Sequence, residues 1–528
     1  MSTGGIFTLI TNDGKQDRML MATALLSKRL QNIRQTRAEQ GASDTNPTLS
    51  DIEKTHVLFM NAHFKPFAAF GSEYNKVPVS NATLGTKVQF SIPQFGDFFS
   101  DMAIHIKFTA PTTSITGADA GSVGADVALY RWCEWPGERV LQRVSIDVNG
   151  NPLDEYYPDT YNFHRQFHVS EDKLVGWHRN MGQELPKQGY FAYNATPAAL
   201  AGDADDIVAT PARATLAIRD GHQTYKPAHS DLDLFVPILF WFNTDPRLAI
   251  PSVAIPYGQR FLNIDLATKE QLLRVIANPA QIAGSTLTNP TVTTPTIANC
   301  DLYINNIFVN PDIHDIFIAR IGFTLIRVHR RQVNNVNKAT DSILLQQLKW
   351  PIETLYIGVR PTANQTVNPT VVAPATQDAI TDSQMEDWHR YGQVSNSVED
   401  AADYAGVSAD FHLKSETNHI TNLTVTAHGI DLYSTIPAQF FNSYIPYQFG
   451  GWNIRTPTDP GVFMITFNMY PGTYQPSGHI NVSRAREFYL AYNSTLVNSE
   501  NPADLVVVAV AINFLLISDG SAVLRYTT

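Results

Sequence analysis

His164 and His168 stand four residues apart, with Glu171 and Asp172 just beyond them. On a helix that spacing puts two imidazoles on one face, where they could hold a metal ion. No third ligand can be named from the sequence, so a loop or surface pair is the simpler reading. His479 is a lone histidine, and such residues are more often hydrogen-bonded structure than catalysts. Arg327, His329, Arg330 and Arg331 could meet an acidic neighbour, although a solvated strand face is the plainer account. Gly117, Gly121 and Gly124 sit in a polar loop with no helix after them, which is no cradle for a phosphate. The chain has no HExxH, no GxSxG, no GxGxxG opening a helix, no P-loop and no HxH pair. Those motifs hold zinc, nucleophiles and phosphates in place. The expectation is a protein that is not an enzyme, with no catalytic residue, cofactor or metal.

The totals agree. In 528 residues there are 49 acidic and 38 basic side chains, a net charge of −11, and only 16% of residues are charged. An acidic surface repels phosphate backbones, so direct nucleic-acid binding is disfavoured. The length suits two to four domains, and 31 prolines favour strands and loops over helices. Two cysteines, Cys133 and Cys300, without CxxC spacing, argue for a reducing compartment and against a disulfide framework. MSTGGIFTLITNDGK lacks the features of a secretory signal. The longest apolar run, Leu505 to Ile517, is too short to span a bilayer and reads as a pair of buried strands. Carbohydrate binding by exposed aromatic residues in loops stays open.

One stretch is convincingly helical. Over residues 18 to 37, Ala22, Leu26, Leu30 and Ile33 form one stripe while Lys28, Arg29, Arg34 and Arg37 make another face basic. It could pack on the body or project as an arm toward a membrane surface or a neighbouring protein. A short second helix is expected after Ser50, from the Ser50-x-x-Glu53 spacing. From His56 the period is two: Val88, Phe90 and Ile92, then Met102, Ile104, Ile106 and Phe108, then Val144, Ile146 and Val148 before an Asn149-Gly150 turn. Phe235 to Phe242 reads as a dense apolar strand. Residues 274–300, rich in Pro and Thr, read as a linker or a surface excursion. Alternation returns at Leu302, at Ile321, Phe323 and Leu325, and at Leu423, Val425 and Ala427.

The two halves echo each other. Val144-x-Ile146-x-Val148-x-Gly150-x-x-Leu153 aligns with Leu423-x-Val425-x-Ala427-x-Gly429-x-x-Leu432, and Asp97-Phe98-Phe99 with Asp315-Ile316-Phe317. The division that follows is an arm at 1–52, one β-domain at 53–273, a linker at 274–300 and a second β-domain at 301–528. Loops at 111–126, 194–213 and 361–382 carry the variable surface.

Near the C-terminus lies the run Pro476-Ser477-Gly478-His479-Ile480-Asn481-Val482-Ser483-Arg484. It resembles the PSGxxNxSR signature of the major capsid proteins of large double-stranded DNA viruses, most closely those of the asfarvirus lineage. Further blocks are similar and keep their order: NAHFKPF at 61–67, IPQFGDFFSDM at 92–102, WPGER at 135–139, DVNGNPLDEY at 147–156, AIPSVAIPYGQRF at 249–261 and LYINNIFV at 302–309. The resemblance implies an all-β double jelly roll, two eight-stranded antiparallel sandwiches with an N-terminal helical arm. It implies a homotrimeric, pseudo-hexagonal capsomer of an icosahedral shell, made and assembled in the host cytoplasm and touching neighbouring capsomers. Minor capsid or inner-membrane proteins would lie beneath, against an arm whose contacts include Lys28, Arg29, Arg34 and Arg37. Surface loops could add host attachment. Within the signature, Gly478 would allow a turn, while Asn481, Ser483 and Arg484 would hydrogen-bond backbone left unpaired at a strand corner.

Overall fold

The computed structural model describes residues 24–41, 70–116, 128–184, 221–223, 226–255, 259–277, 288–309, 322–365, 387–399, 411–450, 453–483, 487–518 and 520–526. The chain divides into two compact units, Met1–Ala69 and Phe70–Thr528. Within the first, the basic stripe lies on helix α1, Ala24–Glu39. Arg34 is exposed, Ile33 and Arg37 are half-buried, and the backbone of Lys28 and Arg29 is helical. The start of the expected helix and the one expected after Ser50 lie outside the described residues.

The second unit is built from two sets of eight strands. The first set is β1 (Phe70–Pro78), β2 (Lys87–Ser91), β3 (Phe98–Phe108), β4 (Leu141–Val148), β5 (Asn151–Tyr156), β6 (Leu232–Pro237), β7 (Arg260–Leu266) and β8 (Ile297–Val309). The second is β9 (Gly322–Val336), β10 (Thr340–Leu344), β11 (Pro351–Pro361), β12 (Ile420–Ala427), β13 (Ile430–Pro437), β14 (Val462–Thr466), β15 (Phe488–Ser494) and β16 (Ala503–Ser518). The sheets of the first roll run β1-β8-β3-β6 and β2-β7-β4-β5; those of the second run β9-β16-β11-β14 and β10-β15-β12-β13. Adding eight to each strand of the first roll gives the second. This is a double jelly roll, and the pairings are antiparallel.

Period-two side chains explain the packing. In β2, Val88 and Phe90 are buried while Lys87, Gln89 and Ser91 are exposed, as expected for a sheet with one wet face. β11 differs, because all eleven of its residues are buried. Leu355, Ile357 and Val359 enter the second core, while Tyr356 and Arg360 meet a helix described below.

The hairpin echo proves structural. Asn149 and Gly150 (φ 52° and 77°) join β4 to β5, and His428 and Gly429 (φ 55° and 75°) join β12 to β13. Both hairpins hold the same place in equivalent sheets. The Asp97 echo fails: Asp97 precedes β3, whose counterpart is β11, whereas Asp315 precedes β9 and lies outside the described residues.

Three expectations are corrected. Residues 274–300 are not a linker: Leu273–Ala277 pairs with Ala128–Trp132, Thr288–Val292 pairs with Thr113–Thr116, and Ile297 already begins β8. The first roll therefore runs to Val309, since β8 must lie between β1 and β3 to complete its sheet. The strand expected over Phe235 to Phe242 stops at Pro237 and gives way to a helical turn, Trp241–Thr244. Leu505 to Ile517 is not a pair of strands but part of one, β16, paired with β9 from Ala503 to Ile517 and with β11 from Ala503 to Ala511. Among the described residues no helix is long and apolar enough to cross a membrane.

Gly358 on β11 has a steric role. A Cβ there would lie 2.3 Å from Cδ1 of Tyr391, and that ring is tethered through its hydroxyl to Asp159 and Arg360. Gly358→Ala is expected to cost about 1–3 kcal/mol by overpacking, read as a lower midpoint in urea. An unchanged midpoint would mean the ring can yield.

Candidate functional site

The connection from β5 to β6 carries two helices, α2 (Pro158–Phe167) and α3 (Glu171–Asn180). Pro158 opens α2 at a position where no N–H is needed, and Asp159 complements the positive end of the helix. Almost every α2 residue is buried, because the helix lies between the two rolls. Tyr161 belongs to the first core, and its hydroxyl donates to the Pro237 carbonyl at 2.9 Å. Phe163 and Phe167 belong to the second, with ring centroids 5.2 Å from Tyr391 and 5.1 Å from Tyr356 respectively. One short helix thus contributes to both cores.

Charges reinforce the seam. The Asp159 carboxylate accepts from Arg331 at 2.6 Å, from Tyr391 Oη at 3.0 Å and from Arg360. Burial would raise its pKa, but the Arg360 and Arg331 charges outweigh burial and hold it at about 2. His329 meets Asp154 at 3.0 Å, and Arg327 meets Glu353 at 2.5 Å. The side chains read as a solvated strand face therefore each have a buried carboxylate partner, while Arg330 lies over the Trp350 ring at 4.0 Å. On the first-roll side, Glu138 is fully buried and accepts from Arg165 and from Trp177 Nε1, both at 2.8 Å. Burial pushes the Glu138 carboxyl upward against the pull of Arg165. Backbone contacts finish the joint: Arg455 donates to the Gln166 and Val169 carbonyls, Asn162 to His389, and Trp388 to Glu134.

His164 and His168 belong to this seam, not to a loop or the surface. Their rings stack at 5.4 Å and face a cavity of about 200 Å³ walled also by Phe163, Trp241, Tyr356 and Val508. His168 Nε2 lies 2.8 Å from Tyr356 Oη. Burial, helped by neighbouring imidazoles, pushes His164 down to about 3 and His168 to about 4. Among the described residues, no group of three or more His, Cys, Asp or Glu could hold a metal ion.

The signature lies on the second roll. Ile480–Asn481 pairs with Pro351 and Ile352 at the start of β11. Gly478 has φ 144°, and a Cβ would lie 3.1 Å from the Phe467 carbonyl, so the position favours glycine. Ser477 Oγ accepts from the Tyr470 amide at 2.8 Å. Asn481 Oδ1 accepts from the amide and hydroxyl of Ser483, at 3.0 and 2.6 Å. Pro476 is half-buried, Asn481, Ser483 and His479 are exposed, and Arg484 lies outside the described residues. The signature lies in the second unit and α1 in the first.

Two family models match end to end. "Major capsid protein N-terminus" covers residues 59–310, and "Large eukaryotic DNA virus major capsid protein" covers residues 309–523. The hexon protein p72 of African swine fever virus is 37% identical over the whole of both chains. The chain belongs to the major capsid protein family of large eukaryotic DNA viruses. Among solved structures, the Faustovirus major capsid protein is 38% identical, covers 96% of this chain and 100% of its own, and superposes with a TM-score of 0.73. A capsid chain of PBCV-1, 18% identical over 89% of this chain and all of its own with a TM-score of 0.56, shares the fold.

In this major capsid protein the seam joins the two rolls through α2 and the buried pairs of Asp159 and Glu138. The family models meet at residues 309 and 310, where β8 ends. Asp159, Glu138, Arg165 and Arg360 were not singled out in the sequence. The only local signal was Pro158-Asp159, a helix-opening pair in a region otherwise read as strands.

Proposed function

We propose that three copies of this capsid chain close into a pseudo-hexagonal capsomer that tiles with its neighbours into an icosahedral shell. The observation that carries this is the strand-for-strand equivalence of the two rolls under a shift of eight. Three chains then present six similar lobes, and a ring of six similar lobes tiles a plane. A chain with only 16% charged residues suits close approach of identical flanks, since few ions need desolvation. The protein acts by its edges and performs no catalysis. The basic helix α1, with Lys28, Arg29, Arg34 and Arg37, is the element offered to minor capsid or inner-membrane proteins beneath the shell. Two free, buried cysteines suit assembly in the reducing host cytoplasm. Light scattering on the purified protein is expected to give the mass of three chains, with a hexagonal outline in negative stain. A single-chain mass at micromolar concentration sinks this reading.

A further inference from the structure

In the first roll, the β5–β6 connection supplies the helix that covers the outer face of sheet β9-β16-β11-β14 in the second roll. Its targets there include Tyr356 and Arg360 of β11 and Arg331 of β9. The equivalent connection in the second roll is β13–β14, and it too is helical: a π-turn, Phe440–Tyr444, runs into a helix, Ile445–Phe449. Pro446 lacks the N–H that an α-helical bond to Asn442 would need, which accounts for the wider turn. The segment buries Phe441 but leaves Tyr444 49% and Tyr447 79% exposed. Tyr444 and Tyr447 edge a groove of about 720 Å³ with Pro437 and Phe440. Met469, Tyr470 and Tyr474 are exposed on the adjoining loop, which packs through Gly472 against Asn453 and Ile454.

The counterpart of the covered sheet is β1-β8-β3-β6, and its outer face holds exposed side chains among the described residues. Register places Tyr74, His105, Phe235 and Tyr303 on that face. Phe235 stacks on His105 at 4.3 Å yet remains 41% exposed, and Tyr74 is 57% exposed. Among the described residues, the chain therefore contains one roll-to-roll contact in full and the two faces that a second would need.

Resting on the trimer reading, we propose that the helical segment Phe440–Phe449 of each copy docks on the outer face of sheet β1-β8-β3-β6 of the next copy. Within one chain the two faces are different patches on different rolls, and a head-to-tail contact between different patches can close into a three-copy ring. The segment and its loop carry no charged residue from Tyr433 to Ile454 or from Pro460 to Gly478, and on the receiving face Lys76 pairs with Asp301 and His105 with Asp233, so docking brings no unpaired ion onto those groups. At roughly 150–250 Å² per large side chain, the exposed portions of Tyr444, Tyr447, Phe449, Met469, Tyr470 and Tyr474 amount to on the order of 600 Å². That is most of the ~800 Å² per partner that a standard interface buries.

The test pairs Tyr447→Asp with Phe235→Asp, both at exposed positions, in the full-length chain. Sedimentation is expected to show each variant dissociating at a protein concentration at least tenfold higher than the wild type, with single chains that melt at the wild-type temperature. In the wild-type trimer, hydrogen exchange is expected to slow at residues 440–449 and 232–237 relative to diluted, dissociated protein. A trimeric wild type with neither segment protected, or with either variant as tightly assembled as the wild type, overturns the inference and leaves the trimer standing. A wild type that stays single-chain removes the trimer reading and this inference with it.

Discussion

Asp159→Asn is expected to cost about 3–5 kcal/mol, the range for removing one partner from a buried ion pair. The substitution keeps the shape and removes the charge shared by Arg331, Arg360 and the Tyr391 hydroxyl. The Arg360 guanidinium would then lie buried with no carboxylate against it, and the joint between the rolls would open first. Equilibrium unfolding in urea reads the loss. Glu155→Gln is the contrast, because Glu155 pairs with Arg143 at 2.5 Å on the surface, with both side chains more than 40% exposed. Exposed pairs contribute about 0–1 kcal/mol. If the two substitutions cost the same, the seam is not held by Asp159.

Acid is the second large effect. His164 and His168 ionise near 6.5 in the unfolded chain, but burial holds them at about 3 and about 4 in the fold. Below pH 6.5 the unfolded chain takes up protons that the fold refuses, so the contribution of these two histidines to stability falls as pH drops from about 6.5 toward 3 and is level above. Asp159, depressed from 3.8 to about 2, adds loss only at the acid end of that range. Glu416, raised to about 8 by burial and by Asp459, and Glu138, raised by burial, act with the opposite sign above about 4.5. Comparison with a variant isolates one imidazole. His164→Gln is expected to make stability against pH shallower by about 1.4 kcal/mol per pH unit between pH 6 and 4. Parallel curves for variant and wild type would mean that His164 takes its proton in the fold.

What the sequence disclosed divides along physical lines. Strands with one wet face were legible: Lys87 to Ser91 and Arg143 to Val148 alternate because water lies on one side. β11 has both faces buried and alternates in nothing that composition can see. Helix α2 is missed for the same reason, since a helix buried all round has no polar stripe to set its period. Residues 274–300 looked like a linker because short edge ribbons with Thr and Pro pair by backbone and need no apolar alternation. The signature was visible as a motif, but Asn481 and Ser483 bond locally to each other. The contacts that join the rolls, such as Arg360 to Asp159, are 201 residues apart in sequence, and no local pattern encodes them.

The shared helix also sets a timetable on the ribosome. The first roll can close its sheets once β8 has emerged, but Phe163 and Phe167 then face solvent on a finished domain. Their cover includes β16, which ends at Ser518, roughly 200 residues later, or about 10–40 s at ordinary rates of synthesis. For that interval every nascent chain displays a bare aromatic helix beside its sisters on the same message, so the hour of greatest risk for this tile falls before it is whole.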